Sequence, residues 1–171
     1  MERILVSACL LGQPVRYDGR GKGLTSDLMA LWQAEGRLVP LCPELAGGFG
    51  VPRLPAEIAP GATGASVLAG RGAIHDSAGQ DVTAGFLAGA AAAVHLAREW
   101  GCRFALLTEG SPSCGVARVH GGRFDGTMQE GQGVVTAALR QAGLTVFPQT
   151  RIADLALALD GGEIRAKPHR S

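Results

Sequence analysis

Long apolar runs are absent from this 171-residue chain. None reaches the roughly 18 consecutive apolar residues that a membrane-spanning helix requires, so the sequence predicts no transmembrane segment. The first residues, MERILVSACLLG, contain only a short apolar stretch with no small-residue cleavage pattern after it. We interpret them as a buried strand rather than a signal peptide, and we expect a cytoplasmic protein.

An excess of charge of one sign is also absent. The formal net charge is +1, which argues against a broad surface for nucleic acid while leaving a local basic patch open. The near-neutral balance favours a small molecule as the partner. Internal repeats and low-complexity linkers are missing too, and the length is sufficient for one domain with a sizeable core. The sequence does not determine the oligomeric state.

Cysteine is scarce, and the four cysteines form no CxxC pair, so the chain contains no ready-made zinc motif. Cys9 follows the apolar segment RILVSA, Cys42 follows RLVPL, and Cys114 lies in a loop, TEGSPSCG, that follows RFALL. Cys102 instead precedes RFALL. In a reducing compartment such cysteines are more often metal ligands or catalytic residues than disulfide partners.

Apolar, strand-like segments alternate with helix-forming segments along the chain. This alternation predicts an α/β fold with a three-layer, Rossmann-like, mostly parallel sheet and helices on both faces. The predicted elements are strands at 3–8, 37–41, 103–107 and 144–147, helices at 27–34, 81–100, 134–142 and 152–159, a hairpin formed by 65–68 and 73–74, and turns at 76–79 and 119–122. As domains, we expect a single α/β domain over residues 1–150 and a C-terminal helix with a loose tail over 151–171.

The carboxyl ends of parallel strands meet at one edge of a sheet. We therefore expect Cys9, Cys42 and Cys114 to lie together. At ~3.3 Å per residue, Cys102 would lie roughly 15 Å or more from them, and we interpret it as a buried structural thiol. Soft sulfur ligands suit zinc or an iron–sulfur cluster. The residues alone leave three alternatives open: a cluster, a zinc site, and metal-free thiol chemistry at Cys114.

Several motifs together resemble the thiouracil desulfidase family. The matching segments follow one another in the expected order and are ILVSACLLG (4–12), RYDG (16–19), LVPLCPELAGG (38–48), PRLPAEI (52–58), GQDVTAGFLAGA (79–90), SPSCG (111–115), FDG (124–126) and GQGVVTAAL (131–139). The resemblance implies a [4Fe-4S] cluster held by Cys9, Cys42 and Cys114, with one iron left open. It implies removal of sulfur from a thiolated uracil by non-redox hydrolysis. By position, it assigns the acid/base carboxylate to Glu44 and the functional serine to Ser111.

The chain departs from the family pattern in two places. Relatives often carry Lys in the region of Leu107 and Thr108, and often carry Cys where Val15 precedes RYDG. Neither position is a proposed ligand, so we expect both to affect substrate preference rather than cluster binding.

Four further residues are candidates for contacting the substrate: Arg16, Tyr17, Asp18 and Ser113. Alternative interpretations accompany several candidates. Tyr17 fits a polar surface loop, Ser111 fits a turn-forming serine, and Glu44 fits a carboxylate that binds backbone at a helix start. Arg53 and Glu57 fit a simple ion pair. For the protein as a whole, the alternative is a non-catalytic sensor module that binds zinc or a cluster.

Overall fold

The computed structural model describes residues 1–166, the last four of these as backbone only. Its strands are β1 (Ile4–Ser7), β2 (Leu38–Leu41), β3 (Ala56–Ile58), β4 (Ile74–Asp76), β5 (Phe104–Leu107), β6 (Arg118–His120), β7 (Met128–Glu130) and β8 (Thr145–Pro148). Its helices are α1 (Asp27–Ala34), α2 (Pro43–Ala46), α3 (Gly64–Leu68), α4 (Thr83–Glu99), α5 (Val134–Gln141) and α6 (Ile152–Ala166). None of these helices combines the length and apolar character needed to cross a membrane.

A four-stranded parallel sheet in the order β2-β1-β5-β8 forms the centre of the molecule. In its register, Ile4 lies opposite both Leu38 and Phe104, so the strands run side by side from equivalent starting points. All four residues of β1 are buried, as expected for a strand covered on both faces. All carboxyl ends therefore lie at one edge of the sheet.

Helices cover both faces of this sheet, which confirms the predicted three-layer α/β architecture. Successive side chains of β1 point to opposite faces. Leu5 belongs to a core that includes Phe86 of α4 and Leu139 of α5. Ile4 belongs to a second core, with Trp32 of α1 and Leu155 of α6.

Two local predictions are wrong. Residues 64–68 form helix α3 instead of a hairpin strand, because Thr63 and Ser66 make a reciprocal capping box that satisfies the free N–H groups of its first turn. The strand β4 pairs instead with β3, antiparallel. The predicted turn at 119–122 is also wrong, because Val119 pairs with Gln129 in the antiparallel hairpin of β6 and β7.

The last helix that the structure describes is longer than predicted. Helix α6 runs to Ala166 and passes through Gly161 and Gly162. Glycine lowers helix stability by about 1 kcal/mol per residue relative to alanine but does not remove a hydrogen bond, so a glycine pair does not by itself end a helix. The remainder of the expected loose tail, 167–171, lies outside the described residues.

Candidate functional site

One cavity of about 350 Å³ opens at the carboxyl edge of the central sheet. It brings together nearly all the residues that the sequence predicted for the site. Those that line it are Cys9, Arg16, Tyr17, Cys42, Glu44, Ser111, Ser113 and Cys114. Asp18 is not among the lining residues; it is exposed, and its Oδ1 accepts a hydrogen bond from Arg20 N at 3.0 Å.

The three cysteines reach the cavity from three different strand ends. Cys9 lies in a 3-10 turn directly after β1, and Cys42 is the residue that precedes α2 after β2. Cys114 lies in the loop that follows β5. Cys102 is buried before the start of β5 and does not line the cavity.

The three thiols are electrostatic neighbours. Burial raises the pKa of Cys114 to about 12, and the proximity of Cys9 acts in the same direction. Burial also raises the pKa of Cys9, to which Cys42 adds, while the positive charges of Arg16 and Lys22 oppose the increase.

Hydroxyl groups surround the buried sulfur atoms. Ser113 Oγ lies 3.8 Å from Cys114 Sγ, and hydrogen bonding from Ser7 and Ser113 favours the Cys114 thiolate. Thr108 is buried beside Cys9, where its hydroxyl group acts to lower the pKa of that thiol. Hydrogen bonds to sulfur are one of the means by which proteins tune metal–thiolate centres.

Glu44 forms an ion pair with Arg53, which the sequence analysis had paired with Glu57. Arg53 Nη2 contacts Glu44 Oε2, and the same nitrogen donates to the carbonyl oxygen of Val15 at 2.9 Å. Arg53 Nη1 donates to Gly50 O at 3.0 Å, and the Arg53 side chain is 9% exposed. The expected pairing of Arg53 with Glu57 is therefore wrong: the loop after α2 turns the guanidinium back towards the first turn of that helix.

The oxygen of Ser111 shapes the loop that contains Cys114. It accepts hydrogen bonds from Ser113 N at 3.1 Å and from Cys114 N at 2.7 Å. A hydroxyl oxygen has two lone pairs, and both are used here, so its remaining capacity is that of a donor. The turn-forming interpretation of Ser111 and a role as hydrogen-bond donor to a ligand are thus compatible.

Sequence reasoning missed several polar residues that also line the cavity. They are Lys22, Glu57, Glu109 and His120, and Thr108, named above only as a departure from the family pattern, lines the cavity as well. The position of Thr108 and Glu109 directly after β5 was a usable signal, since the carboxyl ends of parallel strands are the common location of ligand sites. Glu57 lies in β3 and His120 in β6. The sequence did not predict the antiparallel pairing of either strand, so it gave no indication that these two residues face the cavity.

The donor set fits a cluster better than a single ion. Among the residues that the structure describes, no group of three or more His, Cys, Asp or Glu side chains is placed to hold one metal ion. A zinc ion would need its ligands within about 2.0–2.3 Å of one centre. In an iron–sulfur cluster, separate cysteines bind separate irons, so three soft sulfur donors that reach one cavity from different strand ends suit such a group.

Comparison with known proteins gives three matches. The profile of the 2-thiouracil desulfurase family matches residues 4–151. The uncharacterized protein YbbK of Bacillus subtilis (strain 168) is 41% identical over 152 residues, which cover 89% of this chain and 99% of YbbK. A solved structure, the [4Fe-4S]-dependent thiouracil desulfidase TudS, is 48% identical with a TM-score of 0.85, and the match covers 94% of this chain and 99% of that one.

Proposed function

The chain belongs to the 2-thiouracil desulfurase family, and we propose that it is an iron–sulfur-dependent desulfidase that removes sulfur from a thiolated uracil such as 2-thiouracil. The observation that carries this proposal is the meeting of three cysteines from three strand ends in one cavity that also contains Glu44 and Ser111. The similar structure TudS is described as [4Fe-4S]-dependent. Cys9, Cys42 and Cys114 would hold such a cluster here.

When bound, the cluster would supply an iron without a protein ligand as a Lewis acid for the soft thiocarbonyl sulfur. The overall reaction consumes water and is not a redox reaction. The water oxygen forms a bond to the ring carbon, the carbon–sulfur bond breaks, and sulfur leaves as sulfide with protons that come from the water. Thiouracil thereby becomes uracil.

The residues of the cavity have separate tasks in this reaction. Glu44 accepts a proton from the attacking water and returns it towards the departing sulfur, as a positioned general base and acid. Its ion pair with Arg53 holds the carboxylate in place. Ser111 donates a hydrogen bond to the ligand, because its oxygen is already occupied as an acceptor. Arg16, Tyr17 and Ser113 contact the substrate; Asp18 is outside the cavity and has no part in the proposal.

Anaerobic reconstitution with iron and sulfide tests the proposal. The wild-type protein should become brown and release sulfide and uracil from 2-thiouracil. Cys9→Ala should lose both the bound iron and the activity, whereas the matched control Cys102→Ala should keep both. Full activity in Cys9→Ala would refute the proposal. Colourless protein with stoichiometric zinc and no sulfide release would support a non-catalytic sensor module instead.

A further inference from the structure

A buried carboxylate that the proposed reaction does not use lines the same cavity. Glu57 lies in β3, and the residue is only 7% exposed. Its Oε1 accepts backbone hydrogen bonds from Gly122 N at 2.9 Å and from Phe124 N at 3.4 Å. Throughout the described part of the chain, no cationic side chain forms an ion pair with it.

In this arrangement, the two backbone N–H groups donate to Oε1 of Glu57 and not to Oε2. An ionised carboxyl group has two oxygens and about four acceptor positions, and among the residues that the structure describes the side-chain and backbone donors reach Oε1 alone. Burial of a carboxylate without a paired cation is costly unless hydrogen-bond donors compensate it. A ligand in the cavity that carries N–H groups would donate to Oε2.

A second acceptor lies on the neighbouring hairpin. His120 also lines the cavity, and its Nδ1 is 2.8 Å from Gly110 O. A carbonyl oxygen can only accept, so Nδ1 donates, and Nε2 of the neutral ring remains an acceptor. Glu57 and His120 therefore give this side of the cavity an acceptor character that suits a ligand with N–H donors.

We propose that Glu57 binds a ring N–H of the thiolated pyrimidine and so selects substrates with an unsubstituted –NH–C(=S)– group. The inference rests on the proposed function. In 2-thiouracil, the carbon that carries sulfur lies between two ring N–H groups. A carboxylate accepts such a hydrogen bond more strongly than a neutral group does. Glu57 thereby orients the ring, with its thiocarbonyl towards the cysteines.

The variant Glu57→Gln tests this assignment with little structural change. Its amide oxygen can still accept from Gly122 N, while its NH₂ group replaces Oε2 and changes an acceptor into a donor. We expect KM for 2-thiouracil to rise about tenfold or more, with smaller changes in kcat, iron content and melting temperature. The affinity of the cluster-loaded protein for uracil, measured by calorimetry, should fall by the same factor. Glu130→Gln, the same change at an exposed residue of β7, should leave every value unchanged.

N-methylated compounds provide a second measurement. Wild-type protein should bind N1-methyluracil or N3-methyluracil at least about tenfold more weakly than uracil. Glu57→Gln should lose that discrimination, because methylation of the ring nitrogen and the substitution remove the same hydrogen bond. Equal binding of uracil and both methylated compounds by the wild type would overturn the inference, even if the variant folds poorly. Unchanged uracil affinity in a folded Glu57→Gln would do the same. Absence of sulfide release by the wild type would instead refute the proposed function, whatever the uracil affinities.

Discussion

At the scale of single residues, Arg53 connects the cavity carboxylate to the surrounding backbone. Its guanidinium contacts Glu44 and donates to the carbonyl oxygens of Val15 and Gly50. Val15 O is also 3.8 Å from Cys42 Sγ. The planar fork of arginine suits several acceptors in fixed directions, which the point charge of lysine does not. Arg53 is therefore a positioning residue for Glu44 in the proposed reaction.

Replacement of Arg53 by Met should lower kcat by about tenfold or more, because Glu44 would lose its fixed position. KM should change less. The free energy of unfolding should fall by about 3 kcal/mol, since Glu44 would be left partly buried without its partner. Arg53→Lys should recover part of kcat. Steady-state kinetics and urea unfolding check both effects.

The control for this prediction is Arg151→Met, which removes an exposed ion pair with Asp154. Exposed ion pairs contribute at most about 1 kcal/mol to the free energy of unfolding, so stability should change by no more than that. Arg151 does not line the cavity, so activity should be retained. A wild-type kcat in Arg53→Met would show that Glu44 does not depend on this ion pair.

Cys102 gives a prediction of the opposite kind, with an effect on stability and none on activity. Burial raises the pKa of its thiol from 9.0 to about 11. Because the folded state retains this proton to higher pH than the unfolded chain does, the contribution of Cys102 to stability is complete below about pH 9 and is lost as the pH rises through about 11.

Urea unfolding of the wild type and Cys102→Ala at several values between about pH 8 and pH 11 should therefore show a difference in unfolding free energy that shrinks as the pH rises. Sulfide release should be the same in both proteins at neutral pH. A difference that stays constant across this range would indicate that the Cys102 thiol is not shifted.

At the scale of elements, the short helix α2 sits directly on α4. A Cβ atom added to Gly89 would lie 2.2 Å from Pro43 O, and one added to Gly47 would lie 2.1 Å from Gly85 O. The two backbones therefore touch at positions where only glycine fits. Cys42 precedes α2 and Glu44 lies in its first turn, so this contact determines where both residues meet the cavity.

Gly89→Ala should displace α2 from α4. We expect a loss of roughly 1–3 kcal/mol in unfolding free energy from overpacking, together with lower iron content after reconstitution. The same substitution at Gly161 in α6 meets no atom within 4 Å and should be neutral or stabilising by up to about 1 kcal/mol. Thermal unfolding and iron analysis distinguish the two. Wild-type iron content and stability in Gly89→Ala would contradict the tight contact.

At the scale of the whole molecule, the parallel sheet collects residues that are distant in sequence. Its two cores hold β1 and β5 between helices, and both strands end beneath the cavity. Three segments of the chain then supply Cys9, Cys42 and Cys114 to one place. A cluster bound there would link these segments, and its binding free energy would add to the stability of the folded state.

Removal of iron by a chelator should therefore lower the melting temperature of the reconstituted protein. For a chain of this length, each 1 kcal/mol corresponds to about 2–4 °C. The Cys9→Ala variant should melt at the same temperature before and after chelation, because it would hold no cluster. Scanning calorimetry under anaerobic conditions makes the comparison, and an unchanged wild-type melting temperature would argue against a cluster that joins the three strand ends.

The sequence by itself determined helix α1, the four strands of the central sheet and the ends of those strands. Helix α1 has the predicted bounds because its signals are local: Ser26 accepts a hydrogen bond from Leu28 N at the first turn. The alternation of apolar strands with helices is also visible in neighbouring residues, and it predicted the parallel sheet. The structure brings the three cysteines to one cavity, while their role as ligands stays a prediction.

Only the tertiary structure decided which charged groups meet. Arg53 pairs with Glu44, and Glu57 binds the loop at Gly122, 65 residues away in the sequence. The hairpin of β6 and β7 and the inward position of His120 likewise depend on long-range pairing. Periodicity and capping report only on neighbours along the chain, whereas partners of buried charges are chosen by the packing of whole elements, which no local pattern contains.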